Sequence, residues 1–259
     1  MKGLYGIISP VNKAMLTVGV GLISLPGVHH ALRAALRPAN GPAAARAGEE
    51  LVGRPRRVLA ITCHPDDLEF FCGGTLARLG AAQSEIHALV LSDGEKGGGQ
   101  AGLGERRRGE EEQVGRHLGY TTIQFCGLPD YGLEYDPRLM GVLERAWADI
   151  QPDLVLGFDP KELVPGMVNR DHQALGQALL ELAGRPVAGR SAVCFYGTRH
   201  PNVLVDIGGV LEMKIQAVLK HQSQLRYIPK PLYPHLVRVY GRLAGGGVLP
   251  YAEGLFRLV

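Results

Sequence analysis

The chain has little with which to build a disulfide framework or a charge-driven surface. Its four cysteines, Cys63, Cys72, Cys126 and Cys194, form no Cys-x-x-Cys pair. They lie largely in or beside apolar segments, the pattern of small buried hydrophobes in a reducing, cytoplasmic setting. The net charge of the 259 residues is only +3, and the densest basic cluster, Arg106-Arg107-Arg108, is followed after one glycine by Glu110-Glu111-Glu112. That balance argues against a nucleic-acid partner. No Gly-x-Gly-x-x-Gly or Walker pattern follows the first apolar run, which disfavours a nucleotide-binding Rossmann protein. The glycine-rich stretch from Gly94 to Gly104 fits neither pattern and reads as a flap.

Long hydrophobic runs are also scarce. Residues 14–28 are mostly apolar but interrupted by Gly19, Gly21 and Pro26, and about twenty apolar residues are needed to cross a bilayer. The segment reads as a membrane-surface helix, a poor anchor, an uncleaved signal-like stretch or a helix packed on the protein, so membrane contact through residues 14–28 stays open. Residues 37–46, rich in breakers and small side chains, read as a linker. The expected division is an N-terminal apolar segment and linker over residues 1–50 and one main domain over residues 51–259.

In that domain short apolar runs alternate with longer helical patterns. Strands are expected at residues 58–62, 86–91, 122–125, 154–158 and 192–196, with helices near 70–82, 105–118, 137–150, 172–183 and 208–222. Such alternation predicts an α/β fold: a three-layer, Rossmann-like, mostly parallel sheet with helices on both faces. Ligands of such sheets bind beyond the carboxyl ends of the strands, and the unusual residues follow those ends.

The densest of these stretches is His64-Pro65-Asp66-Asp67, which turns abruptly polar after the first apolar run. Proline fixes a rigid corner. A histidine and an aspartate three apart can converge on one point, and imidazole nitrogen with carboxylate oxygen is a common partial ligand set for zinc. Asp66 is then left beside the metal as a base. The same residues can equally be helix-capping acids with a surface histidine.

His64-Pro65-Asp66-Asp67, followed by Glu69 and Gly73-Gly74, resembles the signature of the N-acetylglucosaminyl-phosphatidylinositol de-N-acetylase family, also called PIG-L or LmbE-like. The likeness extends over roughly residues 55–257. It implies a zinc-dependent amidase that removes acetyl groups from N-acetylglucosamine conjugates, with one divalent ion per chain. Val168-Asn169-Arg170-Asp171-His172 resembles the family's second motif, whose final histidine makes His172 the third ligand beside His64 and Asp67. The resemblance also implies Arg107 as a substrate contact and matches Asp93-Gly94-Glu95 to a recurrent loop, which places Asp93 with Arg107 at the substrate. Some family members carry an N-terminal anchor with the catalytic domain on the cytosolic side.

The chain departs from the family pattern at Asn169, where many members have a histidine. An asparagine can donate to a developing oxyanion but cannot shuttle a proton near neutral pH. Asp66 is then expected to take the proton from water and return it to the departing amine, with His200, His221 and Tyr131 as weaker substitutes. The rival reading is an α/β protein that binds metal or a glycoconjugate without turning it over.

Overall fold

The computed structural model describes residues 40–54, 56–98, 100–161, 169–225 and 229–258. At its centre are four strands: β1 (Arg57–Thr62), β2 (Glu85–Ser92), β4 (Leu154–Phe158) and β5 (Ala192–Tyr196). Their side chains are buried almost throughout, as continuous β-branched and apolar runs require when helices cover both faces. With β3 (Thr122–Leu128), β6 (Val203–Asp206) and β7 (Ala252–Arg257), they form a seven-stranded sheet of order β3-β2-β1-β4-β5-β7-β6. The pairings are parallel from β3 to β5 and antiparallel at β7 and β6.

Helices α2 (Asp67–Ala81) and α3 (Leu103–Leu118) connect β1 to β2 and β2 to β3, stepping outward. The chain then returns past β1, so α4 (Pro137–Ile150) and α5 (Arg170–Ala183), which pack on each other, cover the opposite face. This reversal opens a crevice between the ends of β1 and β4. Helix α6 (Leu211–Lys220) packs against α2 and α3, and α7 (Tyr233–Gly245) against α6 and β7. Trp147 of α4 is fully buried and satisfies its indole N–H on Ser191 Oγ at 3.1 Å.

The sequence reading needs correction at residues 41–46. They belong to a helix, α1 (Gly41–Val52), that packs against β6. Asn40 caps its N-terminus on Ala43, Pro42 sits where a helix tolerates proline, and Ala44, Leu51 and Val52 face inward. Gly48 allows the approach, since a Cβ there would lie 1.9 Å from Leu204 O. Residues 14–28 lie outside the described residues. Among the described residues no helix is long and apolar enough to cross a membrane.

Helix α2 is broken in a way that serves the corner preceding it. Cys72 leaves helical geometry at φ −138°, ψ 19°, so the second half needs a new cap. Glu253 of β7 supplies it by accepting from Gly74 N (2.8 Å), Thr75 N (2.6 Å) and Thr75 Oγ1 (2.6 Å). Lys214 of α6 binds both Glu253 Oε1 (2.5 Å) and Phe70 O (2.9 Å), which ends the first half. The two halves of α2 thus have separate partners at the break.

Candidate active site

The corner after β1 folds onto itself. Asp67 Oδ2 accepts from His64 N (3.0 Å) and Thr62 Oγ1 (3.1 Å), and lies 3.2 Å from His64 Nδ1. Asp66 occupies the N-cap position of α2 with φ 110°, yet its side chain makes no cap hydrogen bond. The helix-cap alternative therefore fails at Asp66. Asp66 sits at the third position of a turn in which Asp67 N donates to His64 O at 3.4 Å, and the positive φ required there strains a residue other than glycine.

The second contribution comes from beyond β4, across the crevice. Asn169 caps α5, its Oδ1 accepting from the amides of Asp171 (3.0 Å) and His172 (3.5 Å). Gly176 lets this helix start sit close to β4, since a Cβ there would lie 2.5 Å from Pro160 N and 2.8 Å from Phe158 O. The His172 ring stacks on Phe158 at 3.6 Å between centroids and 10° between planes. Its Nε2 is buried, has no hydrogen-bond partner among the described residues, and lies 3.4 Å from Asp67 Oδ2.

Ligand atoms of His64, Asp67 and His172 all lie within 4.8 Å of one another. Bonds of about 2.0 to 2.1 Å at tetrahedral angles would set ligand atoms about 3.4 Å apart. The trio fits a divalent ion in its donor set, its spacing and the orphaned nitrogen of His172.

Two further carboxylates, missed from the sequence, surround His64. Its Nε2 lies 3.2 Å from Asp171 Oδ2 and 3.1 Å from Asp130 Oδ1. Asp171 also accepts from the amides of Tyr131 (2.9 Å) and Leu133 (3.2 Å), and Asp130 Oδ2 accepts from Lys96 N (2.8 Å). Donation from Nε2 leaves the lone pair on Nδ1, the nitrogen beside Asp67. The only sequence signals were an acid directly before His172 and a lone acid after the third strand.

These charges set the electrostatics. Burial would lower the His64 pKa, but Asp130, Asp171 and Asp67 raise it well above the ordinary value. Burial would raise Asp67, yet His172 and His64 hold it well below the usual carboxylate range. Asp66 is pushed up to about 6 by burial, against the opposing pull of Arg107. The site thus favours positive charge between its ligands and keeps Asp66 close to the balance point a proton carrier needs.

The other sequence candidates are occupied elsewhere. Arg107 is buried and donates to Gly94 O (3.0 Å), Pro65 O (2.5 Å) and Asp66 Oδ1 (3.2 Å). Asp93 accepts from Arg108 Nε at 2.7 Å. The stretch expected as a flap is pinned at its start, with Lys96 Nζ donating to Asp130 O at 2.5 Å. His221 is fully buried and bonds Glu69 Oε2 at 2.9 Å, which removes it as a proton donor to substrate. Tyr131 is exposed at the rim, its ring 6.3 Å from that of His64.

A model of the GlcNAc-PI de-N-acetylase family, PIG-L, matches residues 59–183, from within β1 to the end of α5. Diacetylchitobiose deacetylase of Thermococcus kodakarensis is 32% identical over 222 residues, covering 77% of this chain and 82% of the relative. The chain belongs to this family. As a PIG-L protein it is an amide-hydrolysing N-deacetylase. 2'-N-acetylparomamine deacetylase of Streptomyces fradiae is 29% identical over 210 residues, 66% of this chain and 74% of the relative. Among solved structures, N,N'-diacetylchitobiose deacetylase from Pyrococcus horikoshii superimposes with a TM-score of 0.73 at 26% identity, covering 82% of this chain and 86% of that one. The PIG-L match spans both halves of the crevice and stops before β5, so His64, Asp67 and His172 lie wholly within it.

Proposed function

We propose that this protein hydrolyses the acetamide of an N-acetylated amino-sugar conjugate, giving acetate and a free amine, with one divalent ion, zinc, between His64, Asp67 and His172. The observation that carries the reading is the trio itself: three ligand atoms from two separate loops at the sheet's crevice, one of them a buried nitrogen with no other partner. Zinc is favoured by the two-imidazole, one-carboxylate donor set. The substrate class follows from relatives named for diacetylchitobiose and N-acetylparomamine.

A divalent ion so held supplies Lewis acidity, polarising the amide carbonyl and acidifying water. Asp66 removes a proton from the attacking water, which its pKa of about 6 permits in the ionised form at neutral pH. Carbon–oxygen bond formation leaves negative charge on the former carbonyl oxygen, and the Asn169 amide N–H group donates to it. Asp66 then gives its proton to the nitrogen as the carbon–nitrogen bond breaks. Asp171 and Asp130 keep the His64 ring oriented throughout.

The test is metal analysis with acetate release from N,N'-diacetylchitobiose and a panel of N-acetylglucosamine conjugates. Wild type is expected to hold about one zinc per chain and to release acetate. Asp66→Asn is expected to keep the metal and lose about 10²- to 10⁴-fold in rate, whereas His64→Ala loses both. Zinc binding without acetate release across the panel would favour the binding protein instead.

A further inference from the structure

One helix grips a single peptide bond at both ends. Arg107 and Glu111 sit one turn apart on α3 and are both buried. Arg107 Nη2 donates to Pro65 O at 2.5 Å, and Glu111 Oε2 accepts from Asp66 N at 3.3 Å. That carbonyl and that N–H belong to the same planar unit and point in opposite directions. Holding both fixes its rotation, which sets ψ of Pro65 and φ of Asp66 together.

The value so fixed is φ 110°, which a residue with a Cβ does not hold unless its surroundings over-determine it. The surroundings here are firm. Glu110, next to the clamp, accepts from Ser223 N (2.8 Å) and Ser223 Oγ (2.6 Å), tying α3 to the segment after α6. Behind Glu111, His221 Nε2 lies 3.9 Å from its Oε2 and 2.9 Å from Glu69 Oε2, and Tyr120 donates to Glu69 Oε1 at 2.7 Å. Glu69, Glu111 and His221 are buried, and Tyr120 is half-buried.

We propose that Arg107 and Glu111 form a two-point clamp on the Pro65–Asp66 peptide and are positioning residues that aim the Asp66 carboxylate. The role rests on Asp66 being the proton carrier of the proposed hydrolysis. The Arg107 guanidinium also reaches Asp66 Oδ1 at 3.2 Å, so it orients the side chain as well as the backbone. Burial beside Glu69 raises the Glu111 pKa well above the ordinary value, so glutamine is a close mimic of its neutral form.

The experiment compares Glu111→Ala, Glu111→Gln and Arg107→Lys in the full chain loaded with zinc. Crystal structures give φ of Asp66, and kcat and KM are measured on N,N'-diacetylchitobiose. In Glu111→Ala, φ of Asp66 is expected to leave the positive region and kcat to fall at least about tenfold, with KM within about twofold and metal retained. Glu111→Gln, which keeps an acceptor, is expected to hold the peptide and recover most of the rate. Should the alanine variant not fold, Glu111→Met fills the same space without an acceptor and carries the same expectation. A structure of either apolar variant with Asp66 still near its native φ overturns the clamp. So does an Arg107→Lys variant with raised KM and unchanged kcat, which would make Arg107 a substrate contact. If wild type releases no acetate while the peptide still rotates in Glu111→Ala, the clamp stands and the hydrolase reading falls.

Discussion

Replacing Asp171 by asparagine probes the support given to His64. An asparagine oxygen in place of Asp171 Oδ2 keeps the amide of Tyr131 and presents a neutral acceptor to His64 Nε2, 3.2 Å away in the native protein, while its NH2 group takes the place of the oxygen that accepts from Leu133 N. Loss of such an outer partner lowers metal affinity by about 10- to 100-fold, or about 1.4 to 2.7 kcal/mol. Asp130 Oδ1 lies 3.1 Å from the same nitrogen. The single variant is therefore expected near the lower bound, and Asp130→Asn combined with Asp171→Asn near the upper. Competition with a fluorescent zinc chelator at neutral pH reads the affinity, while urea unfolding of the metal-free protein checks that the fold is intact. Affinities within about twofold of wild type in both proteins would refute the orienting role, because neither carboxylate would then be acting through His64.

Three other perturbations follow from the buried charges. Glu253→Ala strips Lys214 of its ion-pair partner and two helix amides of their acceptor, so urea unfolding should show a loss of about 3 to 5 kcal/mol; a loss below about 1 kcal/mol, the scale of a surface pair, would contradict the cap. Burial opposes protonation of His221, but Glu69 raises its pKa to about 9, so the folded state binds this proton more tightly than the unfolded chain does. Its contribution is complete below pH 6.5 and is lost as pH rises through 9; the stability gap between wild type and His221→Gln should narrow by about 3 kcal/mol across that window. A gap that stays constant or widens contradicts the pairing. Removing metal should lower the unfolding midpoint, since free zinc at about 1,000 times its dissociation constant adds about 4 kcal/mol to the folded state. An unchanged midpoint after chelation would contradict a site that binds zinc only when folded.

The parallel core was legible because it is covered on both faces. Runs such as residues 154–158 and 192–196 are apolar throughout, and the structure gives strands over the same residues. Helix α4, opened by Asp136 capping and Pro137, was equally plain over residues 137–150. The antiparallel edge was not. Val203–Asp206 has only four residues, and Ala252–Arg257 carries a glycine and alternating polar groups, so each depends on its partner strand for definition. Helix α1 was hidden by the glycine and proline of its first turn, which mark a linker in isolation and a helix start once Asn40 caps them. Helix α7 was passed over, its first turn likewise carrying a proline, Pro234.

The site divides along the same physical line. Residues that must be one chemical type, such as an imidazole or a carboxylate at a ligand position, leave a mark in the sequence. His64, Asp66, Asp67 and His172 could therefore be proposed before any coordinates, and the structure brings His64, Asp67 and His172 together. Residues that orient them need only a polar atom within reach, and that reach crosses the fold. Asp171 meets His64 from 107 positions away, Glu111 meets Asp66 from 45, and His221 meets Glu69 from 152. No spacing rule spans such distances. Arg107 shows the limit of a motif: the sequence marks the arginine but not its bonds to Pro65 O and Gly94 O, which direct its guanidinium at the backbone that bears Asp66. The corner's own bonds, from His64 N and Thr62 Oγ1 to Asp67 Oδ2, do not reach the Pro65–Asp66 peptide, and the helix packed beside it supplies the partners of that peptide.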